Sequence, residues 1–232
     1  MIAIIKKEFK SYMFSPIGYI FVGIFLLMLS LFFYVDVYQY KSINFEYLFY
    51  SGATILTFIV PVLTMRMFSE ERRNGTEQLI LTSPISITGV VVGKFIAASI
   101  IIVISEIFSL MYFAILSYFS MPSISVAIVT LIGFFLLSIS YISFGMFASS
   151  ITENQIVSCT VTIGVFIAMW FLPSISNVFS VFSLINMFDK FPSRNNITSR
   201  SYYICIIYYT LYIINKNSVT KKKKCKIGGY LK

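Results

Sequence analysis

The chain alternates long apolar runs with short polar segments. A helix rises about 1.5 Å per residue, so about 20 apolar residues are needed to cross a hydrocarbon core of about 30 Å. These runs predict an all-α polytopic membrane protein with a single transmembrane domain over residues 1–232. Six membrane-spanning helices are predicted, at residues 17–35, 48–65, 95–119, 126–148, 156–172 and 202–214. Breaks are expected at residues 120–123, at the polar turn 151–155 and at Pro173.

The sixth run is short. Residues 202–214 would cover about 20 Å as a helix, and Arg200 and Asn215 bracket them. If this helix did not cross, the lysines that follow it would lie away from most other basic residues. We therefore expect a crossing with local thinning of the bilayer.

The basic residues predict the orientation. With the N-terminus inside, 14 of the 18 Lys and Arg residues fall in inside segments. Cytoplasmic loops carry such an excess of positive charge. We expect both termini in the cytoplasm and the protein in the cell (plasma) membrane.

Two further segments are apolar but do not span. Ile2, Ile5, Phe9, Tyr12 and Met13 recur at helical spacing, which predicts an amphipathic helix on the inner membrane surface; the alternative is a simple basic flank of the first span. Residues 178–191 could form a re-entrant segment shielded by other helices, or a buried loop.

Composition agrees with a membrane protein and excludes several kinds of chemistry. Charged residues make up 12% of the chain and hydrophobic residues 58%, whereas soluble domains contain about 25% charged residues. Without histidine there is no His-based triad and no HExxH zinc site. The three cysteines show no paired framework. We expect no catalytic residue, no metal site and no cofactor on this chain.

One dense charged stretch, EERRNGTE, stands between the second and third spans at residues 70–77. Glu70 can pair along a helix with Arg66 and Arg73, so the second helix is predicted to continue to about Arg73. Asn74-Gly75 should end it, because glycine tolerates the left-handed conformation. Thr76 should then cap a short cytoplasmic helix that exposes Leu79 and Leu81 and ends at Pro84.

The chemistry of this stretch leaves three interpretations. It could be a docking surface for a partner, an interfacial membrane helix or a solvated loop. A nucleotide site is not predicted, because GVVVGK at residues 89–94 lacks the glycine spacing and the Ser/Thr of a P-loop. Gly89 and Gly93 instead form a GxxxG pattern that favours close helix packing. Glu70 and Glu71 point about 100° apart on a helix and cannot act as an acid pair.

Glu106 lies in the middle of the third span, where a carboxylate costs about 2.5 kcal/mol or more. It could line a translocation path, or be a neutral acid that is hydrogen-bonded to Ser138, Ser140 or Ser143. Those serines, with Gly145, more simply predict a packing face of the fourth span.

The charged stretch also carries a family resemblance. SEERRNGTEQLILTSPISITGVVVGKF resembles the first cytoplasmic loop of ABC-2 type transporter permeases, close to the gliding-motility-associated and NosY-like branch. The opening KKEFKSYMFSPIGYIF resembles the N-terminus of the same group, and the similarity covers residues 1–173. Residues 190–232 depart from the pattern, with PSRNNITSRS before the last span and a lysine-rich tail after it.

The resemblance implies six spans and a cytoplasmic coupling helix that receives movement from a separate ATP-binding subunit. It places ATP on that partner and none on this chain. The implied partners are the cytoplasmic ABC ATPase, a second or sister permease copy in a dimer, and membrane lipid, with no nucleic acid. The residues assigned to coupling are Glu70, Glu71, Arg72, Arg73, Gly75, Thr76, Glu77, Leu79, Leu81, Ser83 and Pro84.

Two functional hypotheses follow. The first is the membrane subunit of an ATP-driven transporter, with export favoured. The second is a stand-alone secondary transporter or channel, which would need intramembrane ions and broken helices near the midplane. Glu106 alone is thin support for the second. A membrane enzyme is disfavoured by the lack of histidine and of facing acid pairs.

Overall fold

The computed structural model of the protein describes residues 2–39, 45–76, 87–119, 123–175 and 183–189. These residues form helices and turns, without a strand. The helices are α1 (Ile2–Phe14), α2 (Pro16–Gln39), α3 (Phe45–Thr64), α4 (Arg66–Arg73), α5 (Ile87–Phe119), α6 (Ile124–Ile151), α7 (Gln155–Ile175) and α8 (Leu184–Asp189).

Four described helical stretches are long and apolar enough to cross a membrane. They are Pro16–Tyr38, Phe45–Arg73, Thr88–Tyr118 and Ile124–Ile151, and they coincide with the first four predicted spans. The fifth predicted span lies on α7, where the apolar stretch Gln155–Phe171 is shorter. The sixth, residues 202–214, lies outside the described residues, so the total of six stays a prediction.

The predicted breaks are confirmed with one correction. Helix α5 ends at Phe119 and α6 begins at Ile124, while α6 and α7 are separated by a short polar turn. Pro173, however, does not end the fifth helix, because α7 continues to Ile175. Proline removes a backbone donor but has a helical φ, so a helix can retain it in its last turn at the loss of one hydrogen bond.

The centre of the bundle is aromatic. The ring of Phe134 on α6 lies 5.0 Å from that of Phe49 on α3 and 5.8 Å from that of Phe25 on α2, measured between centroids. Such tilted and edge-to-face pairs are favoured geometries for aromatic rings. Three helices therefore meet at one buried cluster.

Glycines let these helices approach closely. A Cβ on Gly52 would lie 3.1 Å from Leu29, and a Cβ on Gly145 would overlap the side chain of Thr64 on α3. Small residues have this role in membranes, where close van der Waals packing replaces the hydrophobic effect between helices. The predicted packing face of the fourth span is confirmed at Gly145.

The two ends of the bundle differ. One end gathers α1, α4, the start of α5 and the α6–α7 turn; we call it the charged end, since Glu8, Arg66, Glu70, Glu71, Arg72 and Lys94 lie there. The opposite end holds α8, in which Leu184, Ile185 and Phe188 are buried. The ring of Phe188 packs against Phe134. This part of segment 178–191 is thus shielded by other helices.

Candidate functional site

The helix that carries the charged stretch is a separate short helix joined to the second span. Helix α3 ends at Thr64 and α4 begins at Arg66, with Met65 as the junction. The prediction that the helical rod continues to about Arg73 is confirmed. Met65 keeps helical dihedral angles, φ −55° and ψ −30°, and backbone groups around the junction also bond to side chains of neighbouring helices.

Tyr12 and Ser149 supply those bonds. The Tyr12 hydroxyl donates to the carbonyl oxygen of Leu63 at 3.3 Å. Burial raises the pKa of the Tyr12 phenol, so it stays protonated and remains a donor. The hydroxyl oxygen of Ser149 on α6 accepts from the Phe68 amide at 3.0 Å and donates to the Met65 carbonyl at 3.0 Å.

The other side of α4 is bonded to the end of α6. The Ser69 hydroxyl lies 3.1–3.2 Å from three oxygens, which are the hydroxyl and the carbonyl of Ser149 and the carbonyl of Thr152. The Arg72 guanidinium donates to the carbonyls of Ser150 and Thr152. The last carbonyls of a helix lack internal partners and attract cations, so this contact satisfies the end of α6.

A buried lysine joins three helices at this end. The Lys94 ammonium nitrogen lies 2.7 Å from Oε1 of Glu71 on α4 and 3.3 Å from Oε1 of Glu8 on α1. It also lies 5.4 Å from the centroid of the Phe68 ring. The Lys94 side chain is 2% exposed. A buried ammonium is costly unless it is paired, and here two carboxylates and an aromatic face surround it.

The neighbouring glutamate has a different partner. Arg66 donates from Nε and Nη2 to the two carboxylate oxygens of Glu70, at 2.7 and 2.9 Å. This fork is the predicted i,i+4 pair, and bidentate geometry is the strong form of an Arg–carboxylate contact. Glu70 and Glu71 therefore face different partners, as expected for adjacent helix positions, and form no acid pair.

The tip of the charged end is a glycine turn. The amides of Asn74 and Gly75 donate to the carbonyls of Glu70 and Arg72, each at 3.0 Å. Gly75 has φ +70°, which confirms the predicted left-handed break. The Thr76 hydroxyl donates back to the Glu71 carbonyl at 3.3 Å. The chain is thus turned sharply at Gly75 after a firmly anchored helix.

The second half of the predicted coupling segment lies outside the described residues. This covers Glu77, Leu79, Leu81, Ser83 and Pro84. The described coupling residues divide into two kinds: Glu70, Glu71 and Arg72 are bonded inward, whereas Arg73, Gly75 and Thr76 are exposed.

The family model described as ABC-2 family transporter protein matches residues 2–218. The chain belongs to the ABC-2 transporter family. It is a multi-pass membrane protein of the kind that serves as an ABC transporter permease. Members of this family generally work with an ABC ATPase. No curated protein matches the chain. The matched region extends past residue 173 and includes the predicted sixth span.

Glu106 lies twelve residues beyond Lys94 on α5, about 18 Å deeper into the bundle of this ABC-2 protein. Its Oε1 is buried and makes no hydrogen bond with any described residue. The three serines considered as its partners, Ser138, Ser140 and Ser143, instead donate to carbonyls one turn back on their own helix. In the part of the chain that the structure describes, no hydrogen bond thus joins Glu106 to these three serines.

Sequence reasoning missed the residues that hold the coupling helix. Lys94 was considered only in the count of basic residues, in the P-loop comparison and in the family resemblance, and Glu8 was assigned no role. A signal existed for Glu8, because it lies three positions after Ile5 and four before the buried Tyr12, and so faces the same side of α1 as Tyr12. No pattern pointed to Ser149, which is about 80 positions from its partners.

A close contact between α1 and α5 supports this arrangement. A Cβ on Gly93 would lie 2.8 Å from Cγ2 of Ile4. The GxxxG prediction of close packing is therefore confirmed at Gly93, with α1 as the neighbour. In the described residues there is also no group of three or more His, Cys, Asp or Glu side chains placed to hold a metal ion.

Proposed function

We propose that this ABC-2 family protein is the permease subunit of an ATP-driven exporter, in the gliding-motility-associated and NosY-like branch. It lies in the plasma membrane with six spans and with both termini in the cytoplasm. It works as a dimer with a second copy or a sister permease. ATP is hydrolysed on a separate cytoplasmic subunit, which docks at the charged end. Membrane lipid surrounds the spans.

The observation that carries this proposal is the anchoring of α4. Its Glu71 pairs with Lys94 on α5, which also pairs with Glu8 of α1. Its Phe68 amide donates to Ser149 at the end of α6, while Tyr12 of α1 bonds to Leu63 at the end of α3. A short helix held by three neighbours moves with them as a unit. A push at the Gly75 turn would therefore reach the spans α3, α5 and α6 together.

The contacts also divide the coupling residues by role. Glu70 and Glu71 are occupied by Arg66 and Lys94, so they brace the helix. Arg73 and Gly75 are exposed at the tip. We assign the contact with the ATPase to Arg73, Gly75 and residues 76–84, in which Glu77, Leu79 and Leu81 supply a charge flanked by apolar anchors.

Affinity purification of the tagged chain from its native membranes tests the docking. We expect an ABC ATPase subunit to co-purify and to give the eluate ATP hydrolysis activity. Replacing Leu79 and Leu81 with serine should lower ATPase recovery at least tenfold while the permease itself is recovered in normal amount. Loss of two buried apolar anchors accounts for an effect of this size.

Two exposed isoleucines at the same end supply a matched control. Ile151 and Ile156 flank the α6–α7 turn and are exposed. Their double serine variant removes the same amount of apolar surface and should leave ATPase recovery unchanged. Recovery of no ATPase with the unmodified chain would favour a stand-alone transporter. Equal losses in both double variants would move the contact away from residues 76–84.

For Glu106 we propose a place on the translocation path. Glu106 lies near the middle of α5, and one of its carboxylate oxygens is buried without a hydrogen bond from the described residues. Polar groups at this depth are retained where they face a path or a bundle interior.

A further inference from the structure

An apolar groove runs along the outside of the bundle, between α2 and α5, and begins at the charged end. Its volume is about 550 Å³, which lies in the roughly 300–1,000 Å³ range of ligand sites. Its lining contains almost no polar surface. The residues used below are Met13 at the α1 end, Gly18, Gly23 and Leu26 on α2, and Ile101 and Phe108 on α5.

Two glycines shape this groove. A Cβ on Gly18 would lie 2.6 Å from the Tyr12 carbonyl oxygen, so glycine allows α1 to turn closely onto α2. Gly23 is exposed, and a Cβ there would meet no atom within 4 Å. The bottom of the groove is therefore open at Gly23 because glycine has no side chain. The space around Gly23 would accommodate a side chain without a clash.

The groove is as long as one half of a bilayer. Gly18 and Leu26 are eight residues apart on α2, which corresponds to about 12 Å. One leaflet of a hydrocarbon core of about 30 Å is about 15 Å deep. An acyl chain that runs down from the charged end would thus be covered over most of its leaflet.

Basic residues stand above this end of the groove. Lys6, Lys10 and Met13 are spaced i, i+4 and i+7 on α1 and so share one face, and Met13 lines the groove. Both lysines are exposed. Glu8, the one acid in α1, points to the buried Lys94. Since α2, a candidate span, begins at Pro16, we place these ammonium groups at the level of the lipid headgroups.

We propose that the groove is a binding site for one anionic phospholipid from the leaflet at the charged end. One acyl chain lies along Gly18–Leu26 against Ile101 and Phe108, and the phosphate lies beside Lys6 and Lys10. The apolar lining matches a hydrocarbon chain, and the two exposed lysines favour a negative headgroup. The site couples lipid charge to α1, whose Glu8 contacts Lys94.

Lipid titration of the purified full-length protein in detergent tests the proposal. Phosphatidylglycerol and phosphatidylcholine with identical acyl chains are added separately. Bound lipid is counted by native mass spectrometry, and thermal unfolding is followed in parallel. We expect one tightly held phosphatidylglycerol per chain and a larger rise in melting temperature with this lipid. Equal binding and equal stabilisation by both lipids would overturn the selectivity.

Charge variants test the headgroup site. Each basic residue near an anionic lipid strengthens attraction about fivefold, so replacing Lys6 and Lys10 with glutamine should weaken phosphatidylglycerol binding roughly 25-fold. Phosphatidylcholine binding should not change. Lys7→Gln is the control, because Lys7 is exposed on α1 but is paired with Glu8 at 3.7 Å, and it lies about 120° around the helix from Met13. Equal losses in Lys7→Gln and the double variant would indicate general surface attraction and contradict a defined site.

A groove-filling variant tests the acyl-chain site. Gly23→Leu should abolish the tightly bound lipid, because its side chain occupies the open floor. Gly164→Leu on α7 is the matched control, since Gly164 is also exposed with no atom within 4 Å of a Cβ. The control should retain the lipid. If Gly23→Leu changes the mass of the oligomer and leaves bound lipid unchanged, a second copy covers the groove and the proposal is wrong.

Discussion

Lys94 on α5 places its ammonium nitrogen 2.7 Å from the carboxylate of Glu71 on α4, and almost no part of the lysine is exposed. The contact joins the start of α5 to α4, the helix that precedes it in the chain. Because Glu8 of α1 also approaches Lys94, at 3.3 Å, movement of α4 cannot leave α1 and α5 behind without breaking a buried ion pair.

Removal of this lysine should be severe. Lys94→Met would leave the Glu8 and Glu71 carboxylates without their cation, and breaking a buried pair costs about 3–5 kcal/mol. We expect a clear drop in the thermal unfolding temperature in detergent. Lys7→Gln, an exposed change nearby, should have little effect. Adding Glu8→Gln and Glu71→Gln to Lys94→Met should recover part of the loss; no recovery would argue against the ion cluster as its cause.

The left-handed turn at Gly75 gives a second prediction. A non-glycine residue at φ +70° is strained by about 1–2 kcal/mol. Gly75→Ala should therefore misplace residues 76–84 and lower ATP hydrolysis by the purified complex. Gly75→Asn should retain more activity, because asparagine tolerates this conformation best among other residues. Equal activity of the alanine, asparagine and parent proteins would show that the turn is not needed for coupling.

Ser149 should matter more than other serines of the bundle. Its hydroxyl serves two amides of α4 and the Met65 carbonyl. Ser149→Ala leaves these buried groups unpaired and should destabilise the protein by about 1–3 kcal/mol. The measurement is thermal unfolding, with greater proteolysis at the charged end. Ser117→Ala is the comparison, since Ser117 bonds only locally at an exposed site, and it should be neutral.

Two glycine-to-alanine changes should have opposite signs. At Gly145 a Cβ would overlap Thr64 and force α3 and α6 apart, at a cost of about 1–3 kcal/mol. At Gly164 the space is open, so alanine should be neutral or stabilising by up to about 1 kcal/mol through helix propensity. Thermal unfolding of both variants in one detergent checks this. A similar shift for both would mean that the α3–α6 contact is looser than in the structure.

The role of Glu106 can be separated from stability. Glu106→Gln retains shape but loses charge, so on a translocation path it should impair complementation of a strain that lacks the gene, with normal protein amount. Glu46→Gln is the control, an exposed carboxylate at the start of α3. Full complementation by Glu106→Gln would exclude a charged role in transport.

The sequence by itself determined the membrane class, the first four spans and the local geometry of the charged stretch. These features depend on apolar length, on neighbours three and four apart, and on glycine at a left-handed turn, so the local chain contains the whole cause. Arg66–Glu70 and Gly75 were predicted for this reason.

Only the tertiary structure decided what holds that stretch in place. Lys94 and Ser149 bond to α4, Tyr12 bonds to the end of α3, and Glu8 pairs with Lys94. These partners come from different helices and lie 23 to 86 positions apart in the chain. Periodicity shows which face of a helix is apolar, but not which neighbour covers it. A buried lysine looks like any basic residue near a membrane until the carboxylates that permit its burial are brought beside it by the fold.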